Sequence, residues 1–308
     1  MADKKFYLTT PIFYPNAKLH LGHAYVTALS DVLARYHRLV GDKTYFLTGS
    51  DENTQKIVPI AKQEGKSPQA FLDEKIDGFK KLFQKLNISY DQFIRTSDEA
   101  VHWPGAIELW NRLNAAGDLY KKEYEGLYCV GHEAFITEKE LVDGKCPDHG
   151  TAPELVKEEN YFFKLSKYTE AIKQKIESGE LQIMPESRKK EILSLLNDGL
   201  QDVSFSRPRN SYLLGIPDRE DETKVMYVLC DALSNYVTAL GYGRDDALYK
   251  TFWPADVHIV GKDILRFHAA IWPGMLLSAG LPLPKRVLVH GMILSGGKKM
   301  SKTLGNII

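Results

Sequence analysis

Two periods of apolar residues succeed each other along the first third of the chain. Phe6-Tyr7-Leu8-Thr9-Thr10 is a short, nearly unbroken apolar and β-branched run, as expected of a strand buried on both faces, and residues 11–18 read as the loop above it. Then the period lengthens. Tyr25, Val26, Leu29, Val32, Leu33, Tyr36 and Leu39 recur at three- and four-residue steps, which predicts a helix over 23–39 with Gly41 as its stop. Tyr45-Phe46-Leu47-Thr48 is a second strand, ending in Gly49-Ser50-Asp51-Glu52. A carboxylate just past a strand's carboxyl end lies on the edge where open parallel sheets bind ligands. Helical patterns follow over 59–64 and 68–86, a short strand over 91–95, and a helix over 99–116 with Gly117 as its cap. Strand and helix alternate throughout, which is the α/β pattern of a doubly wound parallel sheet.

After Gly117 the texture changes. Residues 120–128 alternate as a solvated antiparallel strand would, and residues 158–165 read as a strand returning beside them. Helices are expected over 168–176 and 188–200, with Ser204-Phe205-Ser206-Arg207 and Gly215-Ile216-Pro217 marking the way back to the main sheet. Val225-Met226-Tyr227-Val228-Leu229 reads as a buried strand leading to a helix over 231–240. Val257-His258-Ile259-Val260 and Arg286-Val287-Leu288-Val289-His290 are the last strands, joined by the turn Gly261-Lys262-Asp263 and a helix over 264–277. The expected organisation is a sheet domain begun by 1–116 and resumed by 224–293, an insertion over 117–223, and a closing loop over 294–308.

Composition narrows the class without naming the chemistry. A length of 308 residues allows one large core plus a smaller unit, and a 44% hydrophobic share is that of a globular protein. With 40 basic and 40 acidic residues the chain as a whole does not attract nucleic acid, so such binding would need local clusters. Three cysteines, no long apolar run and no charged-then-apolar leader at Met1 point to a cytoplasmic protein without a disulfide framework or a membrane anchor.

Two groups of residues carry candidate chemistry. His20-Leu21-Gly22-His23 stands where the first strand gives way to the first helix, and paired imidazoles there can meet phosphate oxygens together with the free backbone N–H groups of the helix start. Taken alone, a histidine at a helix start is ordinarily a cap. The second group is a pair of C-x-x-H turns, Cys129–His132 and Cys146–His149, separated by 13 residues. Two thiolates and two imidazoles suit the edges of a tetrahedral zinc site, while the plain alternative is a polar hairpin in which they fall near one another. Cys230 lies apart from them and reads as a buried, unpaired thiol.

His20-Leu21-Gly22-His23 resembles the HIGH signature of class I aminoacyl-tRNA synthetases, and Lys299-Met300-Ser301-Lys302-Thr303 resembles their KMSKS loop. The likeness narrows to the methionyl-tRNA synthetases through Thr10-Pro11-Ile12-Phe13-Tyr14, Thr48-Gly49-Ser50-Asp51-Glu52, Phe93-Ile94-Arg95-Thr96, Tyr124-Glu125-Gly126-Leu127-Tyr128-Cys129, Gly261-Lys262-Asp263 and Phe267-His268, and so spans essentially the whole chain.

The resemblance implies a Rossmann-type catalytic fold split by a connective insertion with zinc knuckles. It implies ATP-dependent activation of L-methionine to methionyl-adenylate, transfer to the 3′-terminal adenosine of tRNA(Met), and Mg²⁺ with the nucleotide. His20, His23, Lys299 and Lys302 would compensate phosphate charge; Gly22, Gly261, Asp263, Met300 and Ser301 would hold ATP, with Gly22 admitting the adenine and Asp263 the ribose hydroxyls. Asp51 would take the α-ammonium, and Ile12, Tyr14, Tyr236, Ile264 and His268 would surround the thioether. Leu229 stands where the family places a pocket Trp, and Leu214 replaces a second Trp, which would enlarge the pocket. With Cys129, His132, Cys146 and His149 as four protein ligands, a zinc ion would be structural. Arg188, Lys189, Lys190, Arg207 and Arg209 could touch acceptor-stem phosphates, and the family's anticodon-binding domain is expected to be missing from this chain. The missing Trp residues also suit a second reading, a nucleotide-binding fragment or regulatory paralogue that has kept the fold and lost turnover.

Overall fold

The computed structural model describes residues 4–54, 57–129, 134–147, 150–209, 214–218, 221–226, 228–296 and 298–299. The first half lays down β1 (Lys5–Phe13), α1 (Leu21–Leu39), β2 (Lys43–Ser50), α2 (Ile57–Gln63), α3 (Pro68–Lys85), β3 (Gln92–Arg95) and α4 (Trp103–Ala115). Next come β4 (Leu119–Cys129), β5 (Ala134–Ile136), β6 (Glu154–Phe163), α5 (Thr169–Glu177), β7 (Gln182–Met184), α6 (Glu186–Asn197), β8 (Val203–Ser204), β9 (Ser206–Pro208) and β10 (Lys224–Met226). The chain closes with α7 (Val228–Thr238), α8 (Ala247–Phe252), β11 (Val257–Gly261), a π turn over Phe267–Ile271 running into α9 (Trp272–Ser278), β12 (Arg286–His290), and the strand pair β13 (Leu294–Ser295) and β14 (Lys298–Lys299).

Six strands form one parallel sheet in the order β3-β2-β1-β11-β12-β7. Alternate side chains of each strand feed different cores, because successive residues point to opposite faces. Phe6, Leu8, Phe46, Val257 and Ile259 pack with Val26 and Ala34 of α1 and Ile76, Phe79 and Phe83 of α3. Tyr7, Leu47, Ile94, Val260 and Val287 face the other way, against α4, α7 and α9 through Leu109, Leu113, Tyr236, Val237 and Met275. The strands are therefore apolar on both faces, as their sequence runs require. The two halves of the sheet meet at β1 and β11, with Leu8 beside Val257. That junction is the topological switch point, where open α/β sheets leave a crevice at the carboxyl ends of their strands.

The expected elements mostly stand, with three corrections. Residues 117–223 are not a single insertion, since β7 within them pairs with β12 at the sheet edge, flanked by α5 and α6. Only three residues long between Gly179 and Pro185, β7 carries too little sequence to show a strand period. What is set apart is an antiparallel sheet, β5-β4-β6-β8, whose ladder runs from Leu119 opposite Phe163 to Tyr128 opposite Glu154. The second correction concerns the run expected as a strand over 225–229: β10 ends at Met226, pairs with β9 outside the main sheet, and Leu229 lies in the first turn of α7. Third, α1 turns Tyr25, Val32, Tyr36 and Leu39 to solvent, so only part of its apolar pattern is core.

The two sheets are joined at Asp118, whose buried carboxylate accepts from Lys167 Nζ at 2.7 Å, Ser278 Oγ at 2.7 Å and the Tyr168 hydroxyl. Burial alone would raise this carboxyl, but those bonds outweigh it and hold the group below the ordinary carboxylate value.

Candidate active site

The first turn of α1 is built by its own histidines. His20 is the N-cap residue in extended conformation, φ −112° and ψ 177°. Its Nδ1 accepts the Gly22 backbone N–H at 3.0 Å, and its own backbone N–H donates to Nδ1 of His23 at 3.1 Å. A ring nitrogen that accepts a backbone N–H carries no proton, so the proton of each ring sits on Nε2. The two imidazoles are thus fixed as Nε2–H donors, with centroids 3.8 Å apart and Phe13 edge-on to His23 at 5.0 Å. Gly22 is needed for this arrangement, since a Cβ there would stand 2.9 Å from Cε1 and 3.0 Å from Nδ1 of His20. The geometry that caps the helix therefore also sets the tautomer of both rings.

This turn opens on a cavity of about 200 Å³ at the switch point, lined on one side by Pro11, Phe13, His20, Gly22, His23 and Val26. Its other side is Gly261, Asp263, His290 and residues 291–293. Sequence-predicted residues from the two halves of the sheet, His20, Gly22 and His23 with Gly261 and Asp263, thus share one space. Gly261 ends β11 beside His290 of β12. A Cβ on Gly261 would lie 2.6 Å from Asp263 Oδ1, so the missing side chain leaves room for that carboxylate to fold over the turn.

Deeper, an aromatic cluster lies against the far face of β1 and β11. The Tyr236 hydroxyl donates to His268 Nε2 at 2.6 Å, and His268 Nδ1–H donates to the Ile264 carbonyl at 2.9 Å. Trp272 Nε1–H donates to His258 Nε2 at 3.3 Å, which leaves His258 Nδ1–H to donate to Thr9 Oγ1 at 2.8 Å. The rings of Tyr236 and His258 stack at 4.3 Å. Burial pushes His268 down to about 4 and His258 well below the usual imidazole value, so both rings are neutral near pH 7. Burial raises the Tyr236 phenol, and the nearby Asp51 charge adds to it.

Asp51 follows β2 and is buried. The turn that carries it is clamped from β3: Arg95 grips Glu52 through Nε at 2.8 Å and Nη2 at 2.9 Å, and Thr96 Oγ1 accepts the Glu52 N–H at 2.8 Å. Ile12 and Ile264 pack against the core on the α7 side, whereas Tyr14 packs with Val225 and Ala232. Leu229 departs from expectation. It lines a separate cavity of about 710 Å³ with Phe267, Ile271, Phe162 and Arg207, because it projects from a helix rather than from a strand beside the sheet. Leu214 is also displaced, packing on Ile57, Phe71 and Leu72 of α2 and α3.

Lys299 lies on β14, paired with Leu294 of β13, while Met300, Ser301 and Lys302 lie outside the described residues. Of the candidate metal ligands, Cys129 and Cys146 come together as buried residues of one small cluster with Ile136; His132 and His149 lie outside the described residues. Among the described residues no group of three or more metal-ligating side chains occurs. Cys230 is fully buried and unbonded, and burial raises its thiol. Of the basic residues expected at a tRNA surface, Arg207 is a correction, being buried with its guanidinium 4.7 Å above the Tyr128 ring. Arg188 is tied to Glu191.

Sequence reading missed His258, Trp272 and His290. A histidine inside an apolar strand, as in Val257-His258-Ile259, and one ending a strand ahead of a glycine were the available signals.

A crevice at the switch point of a parallel sheet, with a histidine-built helix start facing a Gly-x-Asp turn, places the chain among the α/β proteins whose ligand crevice lies at the carboxyl ends of their strands. More narrowly, it belongs to the family described as tRNA synthetases class I (M), whose model matches residues 6–152 and 148–308. It is 53% identical over 307 residues to the methionine–tRNA ligase of Clostridium acetobutylicum, covering 99% of this chain and 47% of that protein. Against the methionine–tRNA ligase of Clostridium perfringens it is 52% identical over 310 residues, covering 100% of this chain and 48% of that protein. The chain thus spans about half the length of these curated relatives. Among solved structures, Mycobacterium tuberculosis methionyl-tRNA synthetase in complex with methionyl-adenylate superposes with a TM-score of 0.93 at 43% identity, over 99% of this chain and 60% of that one. The apo form of that synthetase gives 0.81 at 41% identity, over 95% and 57%. No helix among the described residues is long and apolar enough to cross a membrane.

Proposed function

We propose that this chain activates L-methionine with ATP to form methionyl-adenylate, as the catalytic part of a cytoplasmic methionine–tRNA ligase that passes the methionyl group to the acceptor end of tRNA(Met). The observation that carries this reading is the single crevice in which His20, Gly22 and His23 face Gly261 and Asp263. The likeness to a synthetase solved with methionyl-adenylate supports it.

In the activation step a methionine carboxylate oxygen bonds to the α-phosphorus as the bond from that phosphorus to the bridging oxygen breaks, and pyrophosphate leaves with the electron pair. No protein nucleophile or proton transfer is required. The protein must align the reactants and compensate negative charge. His20 and His23 serve as Nε2–H donors to phosphate oxygens, aided by the helix start. Lys299 and Lys302 supply positive charge from the closing loop, beside Met300 and Ser301, and Asp263 accepts from the ribose hydroxyls. Asp51, held in place by the Arg95–Glu52 clamp, pairs with the α-ammonium. The thioether lies near Ile12, Tyr14, Tyr236, Ile264 and His268, where neutral aromatic edges suit a polarisable sulfur.

Mg²⁺ would accompany the nucleotide as a counter-ion to its phosphates. For zinc, the convergence of the Cys129 and Cys146 thiols in one buried cluster fits a soft metal, with His132 and His149 completing the set. The metal would crosslink the tip of the β4–β5 region and supplies no chemistry to the reaction.

Amino-acid-dependent ATP–pyrophosphate exchange tests the reading, on this chain and on a version extended to the length of its relatives. Exchange that requires methionine is expected. Exchange with another amino acid but not methionine would overturn the substrate assignment, and exchange with none in either version would favour a nucleotide-binding role without turnover.

A further inference from the structure

One group on the wall of the nucleotide crevice has no part in the scheme above. His290 ends β12 directly beside Gly261, half-buried, and lines the same cavity as His20, His23 and Asp263. Its Nδ1 lies 2.9 Å from the Gly291 carbonyl oxygen, which can only accept, so Nδ1 carries the proton and donates. In the neutral ring Nε2 is then an acceptor with no donor capacity. Among the described residues no side chain or backbone group hydrogen-bonds to it.

The direction of that nitrogen is fixed from two sides. Tyr25 of α1 meets the ring edge-on with centroids 5.2 Å apart, which holds its plane. Gly261 supplies the second constraint. A Cβ there would stand 3.6 Å from both Cε1 and Nε2 of His290, so the Cε1–Nε2 edge points across the bare glycine towards the side where Asp263 Oδ1 lies. This acceptor is therefore opposite in polarity to His20 and His23 on the facing wall, whose Nε2 atoms carry protons.

We infer that His290 is a nucleoside-binding residue, its Nε2 accepting a hydrogen bond from an N–H or O–H donor on the nucleoside half of ATP. The inference rests on the proposed function for the identity of the ligand as ATP. Two parts of ATP offer that chemistry, the ribose hydroxyls and the 6-amino group of the adenine. A phosphate cannot satisfy it, because phosphate oxygens do not donate at neutral pH. The crevice is thus divided, with donors for the phosphates on the α1 wall and acceptors, Asp263 and His290, for the nucleoside on the β11–β12 wall. The division also gives a basis for selecting ATP over nucleotides that present an acceptor in the same place.

Direct binding by calorimetry separates this inference from the activity itself, using ATP, 2′-deoxy-ATP, 3′-deoxy-ATP and inosine triphosphate on the wild type, His290→Leu and His290→Gln. Loss of one neutral hydrogen bond should weaken ATP about fivefold to tenfold in His290→Leu. His290→Gln, which can return an acceptor near the Nε2 position, should recover most of it. The analogue lacking the donor that His290 meets should bind the wild type more weakly than ATP does, and His290→Leu no more weakly than ATP. A collapsed penalty for inosine triphosphate assigns the 6-amino group, and for a deoxy analogue the corresponding hydroxyl. Equal ATP affinity in all three proteins overturns the inference, as do analogue penalties that persist unchanged in His290→Leu. Should His290→Leu fail to fold, a wild type that binds all four nucleotides alike overturns it equally. In exchange assays the KM for ATP should rise in His290→Leu while the KM for methionine stays constant. Absent exchange in the wild type would remove the proposed function without altering the binding result.

Discussion

Replacing Gly22 by Ala should separate stability from catalysis. The new Cβ would stand 2.9 Å and 3.0 Å from two atoms of the His20 ring, a distance at which something must move. Both atoms belong to the end of a side chain, so the ring swings away and the backbone stays. The cost is the side-chain N-cap bond from Gly22 N–H to His20 Nδ1, worth about 1 kcal/mol. Against it, Ala in a helix is favoured over Gly by roughly 0.5–1 kcal/mol. The two nearly cancel, and for a chain of this size the melting temperature should shift by no more than about 2 °C. On the proposed function catalysis has no such compensation, because a displaced imidazole would no longer reach a phosphate oxygen. Loss of one preorganised donor to developing charge typically costs about 10²–10³ in rate. The assay pair is thermal unfolding and methionine-dependent ATP–pyrophosphate exchange on wild type and Gly22→Ala. Unchanged kcat/KM for ATP would refute the geometry. So would a melting temperature lowered by many degrees, since that would mean the backbone, not the ring, had moved.

Leu229→Trp should fill part of the 710 Å³ cavity beside Phe267 and Ile271. At about 25 cal/mol per Å² the added ring, covering roughly 60–80 Å², is worth about 2 kcal/mol. That gain should appear as stability, raising the melting temperature by a few degrees, while the KM for methionine stays unchanged because Leu229 lines a cavity separate from the crevice; a lowered KM would refute that separation. Acid should weaken the fold through His268, whose folded value of about 4 lies below the ordinary 6.5. The unfolded chain then binds the proton that the folded chain refuses, so this stability is complete above about pH 6.5 and falls by about 3 kcal/mol as the pH drops towards 4. Denaturant midpoints measured across that window should decline less steeply in His268→Gln, and equal slopes contradict the assignment. Purified protein should carry about one zinc per chain, and chelation should loosen the β4–β5 region while the parallel sheet survives; a metal content near zero with that region fully protected from hydrogen exchange rules the site out.

Where one period held long enough, the sequence could be read directly. β1, α1, β2, α3, α4, β11 and β12 each formed the kind of element that its run predicted. The edge strand β7 was invisible because its neighbour β12 creates it. Leu229 went to the wrong element for a related reason: Val225-Met226-Tyr227-Val228-Leu229 is apolar throughout, and a continuous apolar run cannot by itself distinguish a strand's end from a helix's start. At the site, residues joined by a short motif were legible, His20 with His23 and Gly261 with Asp263. His258, Trp272 and His290 matter through partners far off in sequence, and no local pattern announces such a partner. Apolar periodicity also overstated the core of α1, since Val32 and Leu39 fit the helical repeat and still face water.

The pairing of β1 with β11 also sets a clock. Thr9 and His258, bonded across that seam, are 249 positions apart. At about 5–20 residues per second, synthesis leaves β1 waiting roughly 12–50 s for the strand that completes the centre of the sheet. During that interval the inner edge of β1 is an open template, and an unpaired edge accepts any extended segment that reaches it first. The crevice likewise has only one wall until β11 and β12 arrive, so a ligand of that crevice cannot help the nascent chain across the gap. A fold that places its crevice at the junction of its two halves completes that crevice only once β11 and β12 have been made, and until then the inner edge of β1 stays open to mispairing.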